Sequence, residues 1–245
     1  MKNLLKKIDK ILFGGLLIKI HAKLLGVIYE KSYHKNYVTR IHDLRQYKSL
    51  TYWNNLFYHL SINNVEGDIV ECGVGNGQTL SYILFNLTYT EKHFNRKYVG
   101  FDSFEGFPEP CDEDNSTRNP KKGDWNHTNE KFVFSNLDDL GFKDENYKKI
   151  RLIKGFFEDT FLQEHNDIKK ISLLHIDCDL YSSTKISLET WFDKVEKNGI
   201  IVFDEYLDAA TTFPGAVKAI DEFFGVDKNK IKVSPYLNKY YLIKS

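Results

Sequence analysis

From residue 67 onward the chain alternates short apolar runs with longer stretches whose apolar residues recur at helical spacing, the pattern of a parallel sheet with crossover helices. GDIVECG at 67–73, KYVGFD at 97–102, IRLIKG at 150–155, ISLLHID at 171–177 and GIIVFDE at 199–205 read as five strands alternating with helices. KIKVSPY and KYYLIK near the C-terminus read as two more, joined through Leu237-Asn238. So short a connection makes them an antiparallel hairpin, because a parallel pair needs a crossover of about a dozen residues. The expectation is an α/β, Rossmann-like fold: a seven-stranded, mostly parallel sheet with an antiparallel C-terminal hairpin strand and helices on both faces.

Two stretches stand outside this alternation. Residues 103–130 form a polar insertion without periodicity, and its Phe104, Phe107 and Trp125 favour a partly ordered lid over a linker. Residues 1–60 read as an N-terminal helical addition ahead of a main domain at 61–245. The addition opens with MKNLLKKIDKILFGGLLIKIHAKLLGVIY, whose basic start and apolar stretch resemble a signal or anchor. Lys19, His21 and Lys23 interrupt it, so no apolar span of about 18–20 residues exists, and no small-residue cleavage site follows. It reads as an amphipathic helix packed on the main domain or on a second subunit of a homo-oligomer, with a membrane-surface helix as the alternative.

Composition narrows the class of partner. With 34 basic and 34 acidic residues the formal net charge is zero, which argues against nucleic acid or an acidic polymer and for a small molecule. Cys72, Cys111 and Cys178 form no CxxC pair, as suits a reducing, cytoplasmic setting.

The first strand runs into Glu71, Gly73, Gly75 and Gly77 before a helical pattern begins near Gln78. Glycines at a strand-to-helix turn let backbone approach a nucleotide-like ligand. A dinucleotide fingerprint would need its third glycine where Gln78 stands, so a pyrophosphate cradle is out of register. Asp102, followed by Ser103, ends the next strand, either at the position where an acidic side chain accepts hydrogen bonds from both ribose hydroxyls or as a helix or turn cap before Ser103. Adenosine without pyrophosphate points to S-adenosylmethionine, with Glu71 placed to organise the loop or meet the amino-acid end.

GDIVECGVGNGQTL, YVGFDSFEGFPEP, GFFEDTF, HIDCDLYSST and GIIVFDEY, in this order, resemble the macrocin O-methyltransferase (TylF/MycF) family, across residues 65–225. The resemblance implies a class I methyltransferase fold, S-adenosylmethionine as donor, a sugar hydroxyl as acceptor and a Mg²⁺ ion near the end of the sheet. Where that family reads Asp-Asp-Tyr, this chain reads Asp204-Glu205-Tyr206.

The residues themselves point to a hard divalent ion. Asp177 closes one strand and Asp204 with Glu205 closes the next, so three carboxylates can converge at one sheet edge, tolerable beside a hard divalent ion. Asp177 is thus a ligand and a candidate base. Asp179 reads either as the N-cap of the following helix or as a metal or substrate contact. His127 in the lid is a rival base or an exposed loop residue, and His175 reads as a hydrogen-bonded core histidine. Phe157 reads either as a cover for the adenine, with Glu158 reading its amine, or as a core residue, and Trp125 and Tyr206 are placed to pack on a sugar.

The reading is a metal-assisted O-methyltransferase acting on a nucleotide-activated sugar for a bacterial surface polysaccharide, the destination resting on a lysine- and asparagine-rich chain with five arginines. The alternatives are methylation of a macrolide sugar or catechol-like hydroxyl, and a non-catalytic, membrane-associated subunit that keeps the fold.

Overall fold

Strand β1 (Asp68–Cys72) is buried along nearly its whole length, as a near-continuous apolar run demands when both sheet faces are covered. It pairs in parallel with β2 (Tyr98–Asp102) on one side and with β4 (Ile171–Ile176) on the other. β3 (Ile150–Lys154) extends the sheet beyond β2, and β5 (Val195–Phe203) extends it beyond β4, both in parallel. The order is β3-β2-β1-β4-β5-β7-β6, with β7 (Tyr240–Ile243) antiparallel to β5 and β6 (Lys232–Val233) antiparallel to β7. This computed structural model describes residues 44–90, 95–163, 165–237 and 239–245. The amphipathic helix expected at the N-terminus lies outside the described residues, among which no helix is long and apolar enough to cross a membrane.

Strand alternation divides the core in two. On one face Ile69, Tyr98, Leu173, Ile200 and Val202 pack against α1 (Leu44–Ile62), α2 (Gln78–Tyr89) and α3 (Glu130–Asp139). On the other, Val70, Val99, Phe101, Leu174, Ile176 and Phe203 pack against Leu188 and Trp191 of α6 (Tyr181–Trp191) and Ile220 of α7 (Pro214–Phe224). Two short helices, α4 (Asp144–Tyr147) and α5 (Phe157–Thr160), flank β3. Tyr52, Trp53, Leu56, Phe57 and Leu60 of α1 belong to the first core, and the compact unit starts at Lys48. Residues 48–60, read from the sequence as part of an addition, are therefore built into the sheet's own packing.

The terminal hairpin differs from its expected form. β6 holds only two residues, and the connection to β7 runs from Ser234 to Lys239 rather than through Leu237-Asn238 alone. Pro235 has no N–H to carry the ladder onward, and Ser234 closes the loop instead. Its N–H donates to the Lys239 carbonyl at 2.8 Å, while its Oγ accepts from the N–H of Tyr236 at 3.1 Å.

The insertion is a docked strap. Asp114, 2 % exposed in a 3₁₀ turn at Asp112–Asp114, accepts the Tyr181 N–H at 2.8 Å and the Cys111 N–H at 3.0 Å. It thereby caps α6 from a distant part of the chain. Asp179, one of whose expected roles was that cap, makes no such bond, and Leu180 occupies the N-cap position. Arg118 binds Asp124 at 2.9 Å, and its guanidinium lies 5.3, 5.7 and 5.4 Å from the ring centres of Phe107, Trp125 and Phe213. That geometry suits cation–π attraction and ties the strap to the loop ahead of α7.

Candidate active site

Register aligns the functional residues. Cys72 stands opposite Phe101 and Ile176, and Ile176 opposite Phe203. The next residues, Gly73, Asp102, Asp177 and Asp204, therefore emerge at the carboxyl ends of neighbouring strands, where ligands bind in such sheets. The chain order reverses between β1 and β4, and a cleft of about 550 Å³ opens there. It is lined by Gly73, Val74, Gly75, Asp102, Phe156, Asp177, Asp179, Asp204 and Glu205, with Trp53 of α1 and Trp125 and His127 of the strap.

The glycine loop needs its glycines. Gly73 has φ +93°, and a Cβ there would stand 1.7 Å from the Asp177 carbonyl oxygen. That close approach lets β1 and β4 end side by side. Gly75 and Gly77 continue the turn, also at positive φ. Asp102 holds the loop from beneath: Oδ2 accepts the N–H groups of Val74 and Gly75, both at 2.8 Å, and Oδ1 accepts that of Phe104 at 2.7 Å. Ser103 lines the cleft but spends its hydroxyl on the Gly106 carbonyl at 2.8 Å. Phe157 lies at the cleft wall stacked on Phe161, with ring centres 4.7 Å apart, and Glu158 is exposed at the rim.

Two expected contacts are absent. Glu71 faces the first core, fully buried, with Oε1 2.8 Å from Nδ1 of His175 and Oε2 accepting from the Tyr98 hydroxyl. It shares its sheet face with His175 and Asp177, and one of its oxygens lies within 4.8 Å of ligand atoms of both, but it sits deeper in the strand and is closed off from the cleft by Tyr98 and His175. Tyr206 is 4 % exposed, and its hydroxyl donates to Asp221 of α7 at 2.7 Å while its ring packs on Tyr240. The backbone turn after β5 carries it into the second core, so it offers no face to a sugar. Trp125 is 57 % exposed at the mouth of the cleft, its ring 5.8 Å from that of His127.

Asp177, Asp204 and Glu205 come together as the sequence suggests: one carboxylate oxygen from each lies within 4.8 Å of the others. Burial, then Asp204, push Asp177 well above the carboxylate range, and burial, then Asp179, do the same to Glu205. Asp179 is pushed up to about 6 by burial and then Asp204. Burial acts on Asp204 too, but His175 and Lys239 outweigh it and hold the group below the ordinary range. His175 Nε2 lies 3.8 Å from Asp204 Oδ1, an ion-pair distance without a hydrogen bond, and Lys239 pairs with the same oxygen. Although burial favours neutral imidazole, Asp204 and Glu71 together raise His175 to about 10. Asp179 holds φ +63°, an uncommon conformation for a non-glycine residue, and lines the cleft.

Several contributors carried no sequence signal of their own. Lys239 sits in a terminal hairpin, Trp53 in an ordinary amphipathic helix, and Asp114 acts across 67 positions. Arg118 had one, as the only arginine in the aromatic insertion.

Fold and site together define a Rossmann-like α/β protein with a ligand cleft at the carboxyl ends of its strands. Residues 45–234 match the family model of macrocin O-methyltransferase (TylF), and the chain belongs to that family. It is 26 % identical over 179 residues to demethyldecarbamoylnovobiocin O-methyltransferase of Streptomyces niveus, covering 69 % of this chain and 66 % of the relative. A second relative is the 8-demethyl-8-(2,3-dimethoxy-α-L-rhamnosyl)-tetracenomycin-C 4′-O-methyltransferase of Streptomyces olivaceus, 28 % identical over 148 residues, 59 % of this chain and 54 % of that one. The chain thus spans between about half and two thirds of these relatives. Among solved structures, the calicheamicin methyltransferase CalS11 superposes with a TM-score of 0.70 at 25 % identity, over 87 % of this chain and 85 % of its own. Its apo form is described as a TDP-rhamnose 3′-O-methyltransferase.

Proposed function

We propose that this protein transfers the methyl group of S-adenosylmethionine to a hydroxyl of a nucleotide-activated sugar, with a divalent cation held by Asp177, Asp204 and Glu205. The observation that carries this reading is the juxtaposition, set by strand register, of the Gly73–Gly77 loop and the three-carboxylate cluster in one cleft. The donor set fits the ion: all ligand atoms are oxygens, the choice of a hard cation such as Mg²⁺ or Mn²⁺. Two of the three carboxylates are driven toward protonation when packed together without one. When bound, such an ion supplies positive charge that makes an adjacent sugar hydroxyl more acidic.

The chain's own residues do the rest. The glycine loop and Phe157 bound the space for the adenosine end, and Asp102 keeps the loop in place while facing that space. In the transfer, the acceptor oxygen bonds to the methyl carbon as the carbon–sulfur bond breaks. The bonding pair leaves with sulfur as a neutral thioether, and the hydroxyl proton passes to a carboxylate. Asp179 suits that role, because its backbone turns it into the cleft while it stands outside the three-residue cluster. His127 rides on an exposed part of the strap. Much of the acceleration comes from holding acceptor and sulfonium in line.

A sugar acceptor is supported by the names of two relatives, which specify rhamnose-type sugars. A surface polysaccharide as destination rests on composition alone. The test is incubation with methyl-labelled S-adenosylmethionine and a panel of nucleotide-linked sugars, with Mg²⁺ or with EDTA, followed by mass spectrometry. Label on a sugar oxygen, lost with EDTA, is the expected result; transfer undiminished by EDTA would remove the metal from the reading.

A further inference from the structure

Asp204 differs from its neighbours in being flanked by a buried imidazole and a lysine ammonium. His175 approaches from inside the sheet, 3.8 Å away, and Lys239 pairs with the same Oδ1 from the cleft side. Among the described residues, no lysine or arginine forms an ion pair with Asp177, Asp179 or Glu205.

The two groups are held very differently. His175 is fixed: fully buried, bonded to Glu71 at 2.8 Å and packed edge-on against Trp53 at 5.2 Å. Lys239 stands at the end of the 234–239 connection, anchored by its backbone carbonyl, with its side chain 31 % exposed. An ammonium on a flexible four-carbon stem can leave Asp204 for water without disturbing the sheet. The imidazole cannot.

We infer that the Lys239 ammonium is a built-in counter-cation of the Asp177–Asp204–Glu205 cluster, one that a divalent ion displaces, so that this residue sets how tightly the cluster takes metal. The inference rests on the metal site proposed above. Its physical content is competition for one oxygen. Without metal, Lys239 offsets part of the repulsion among the crowded carboxylates. A divalent ion bound to Asp204 meets that ammonium at short range, where like charges repel strongly, and Lys239 must swing out. The residue thus stabilises the metal-free cleft and weakens metal binding.

The test is the binding of Mn²⁺ to the full-length protein saturated with S-adenosylhomocysteine, followed by the electron paramagnetic resonance of free Mn²⁺. Wild type, Lys239→Met and Lys239→Arg are compared, with Lys239→Gln in reserve should the methionine variant fold poorly. Removing the competing charge is expected to lower the Mn²⁺ dissociation constant about tenfold, whereas Lys239→Arg, which keeps the charge, binds no tighter than wild type. Tight binding by Lys239→Met with none by wild type would be the same effect in stronger form. Equal or weaker binding by Lys239→Met beside measurable wild-type binding would overturn this inference alone. Absence of Mn²⁺ binding in every variant would overturn it together with the metal site. Affinity for S-adenosylhomocysteine, measured on the same samples, reports on the donor site independently of both.

Discussion

Glu71 and His175 are register partners on β1 and β4, and the bond of 2.8 Å between them is wholly buried. Asp204 and then Glu71 draw the His175 imidazole upward against its burial, while His175 and Lys239 draw Asp204 below the ordinary carboxylate range. Removing one partner of a buried pair strands the other. Glu71→Gln should therefore cost about 3 kcal/mol, a fall in melting temperature of roughly 6–12 °C for a chain of this size. Calorimetry checks it; a change under about 1 kcal/mol would mean the pair behaves like a surface ion pair.

The Asp114 cap makes a second prediction. Asp114→Ala removes the acceptor for the Tyr181 N–H and should destabilise the protein by about 1–2 kcal/mol. The same oxygen that accepts the Cys111 N–H also accepts its thiol at 3.2 Å. Burial and that bond push the thiol up to about 12, so at pH 8 it is almost wholly protonated and unreactive. The variant should be alkylated by iodoacetamide at Cys111 severalfold faster, as read by peptide mass spectrometry. An unchanged rate would show that burial alone protects the thiol.

Acidification should loosen the strap first at Asp124. The hydrogen bond from Arg118 holds this carboxyl below its ordinary range, so its contribution is complete above the unfolded-state pKa and is lost as pH falls through the lower folded value. Trp125, beside Arg118, should report this as a change in fluorescence confined to pH below the normal aspartate range, and Arg118→Met should abolish the step. A transition near neutrality would contradict the assignment.

Tyr206→Phe separates the structural role from a substrate role. Losing the bond to Asp221 should lower stability by about 1 kcal/mol. The KM for the acceptor should stay within about twofold of wild type, because a hydroxyl that never touches the sugar adds nothing to its binding. A tenfold rise in KM would return this residue to the substrate pocket.

The strands, their parallel order and the carboxylate edge were legible because each apolar run stops at a residue that solvent-facing chemistry requires: Gly73, Asp102, Asp177 and Asp204. Glu71 misled because it stands next to the glycine loop in sequence, whereas in space it lies deeper in the strand, covered by Tyr98 and His175. Tyr206 misled for a related reason, since the turn after β5 decides its direction and no periodicity specifies that turn. The capping of α6 by Asp114 and the pairing of Lys239 with Asp204 are tertiary contacts between remote segments. Only a folded chain brings such groups together, so local pattern carries no trace of them.

Crystals grown with S-adenosylhomocysteine and soaked in Mn²⁺, with anomalous diffraction collected at the manganese edge, test the central claim most directly. The account predicts one anomalous peak in contact with carboxylate oxygens of Asp177, Asp204 and Glu205, with the nucleoside over the Gly73–Gly77 loop in the same cleft. A peak elsewhere, or the nucleoside bound away from that loop, would contradict it.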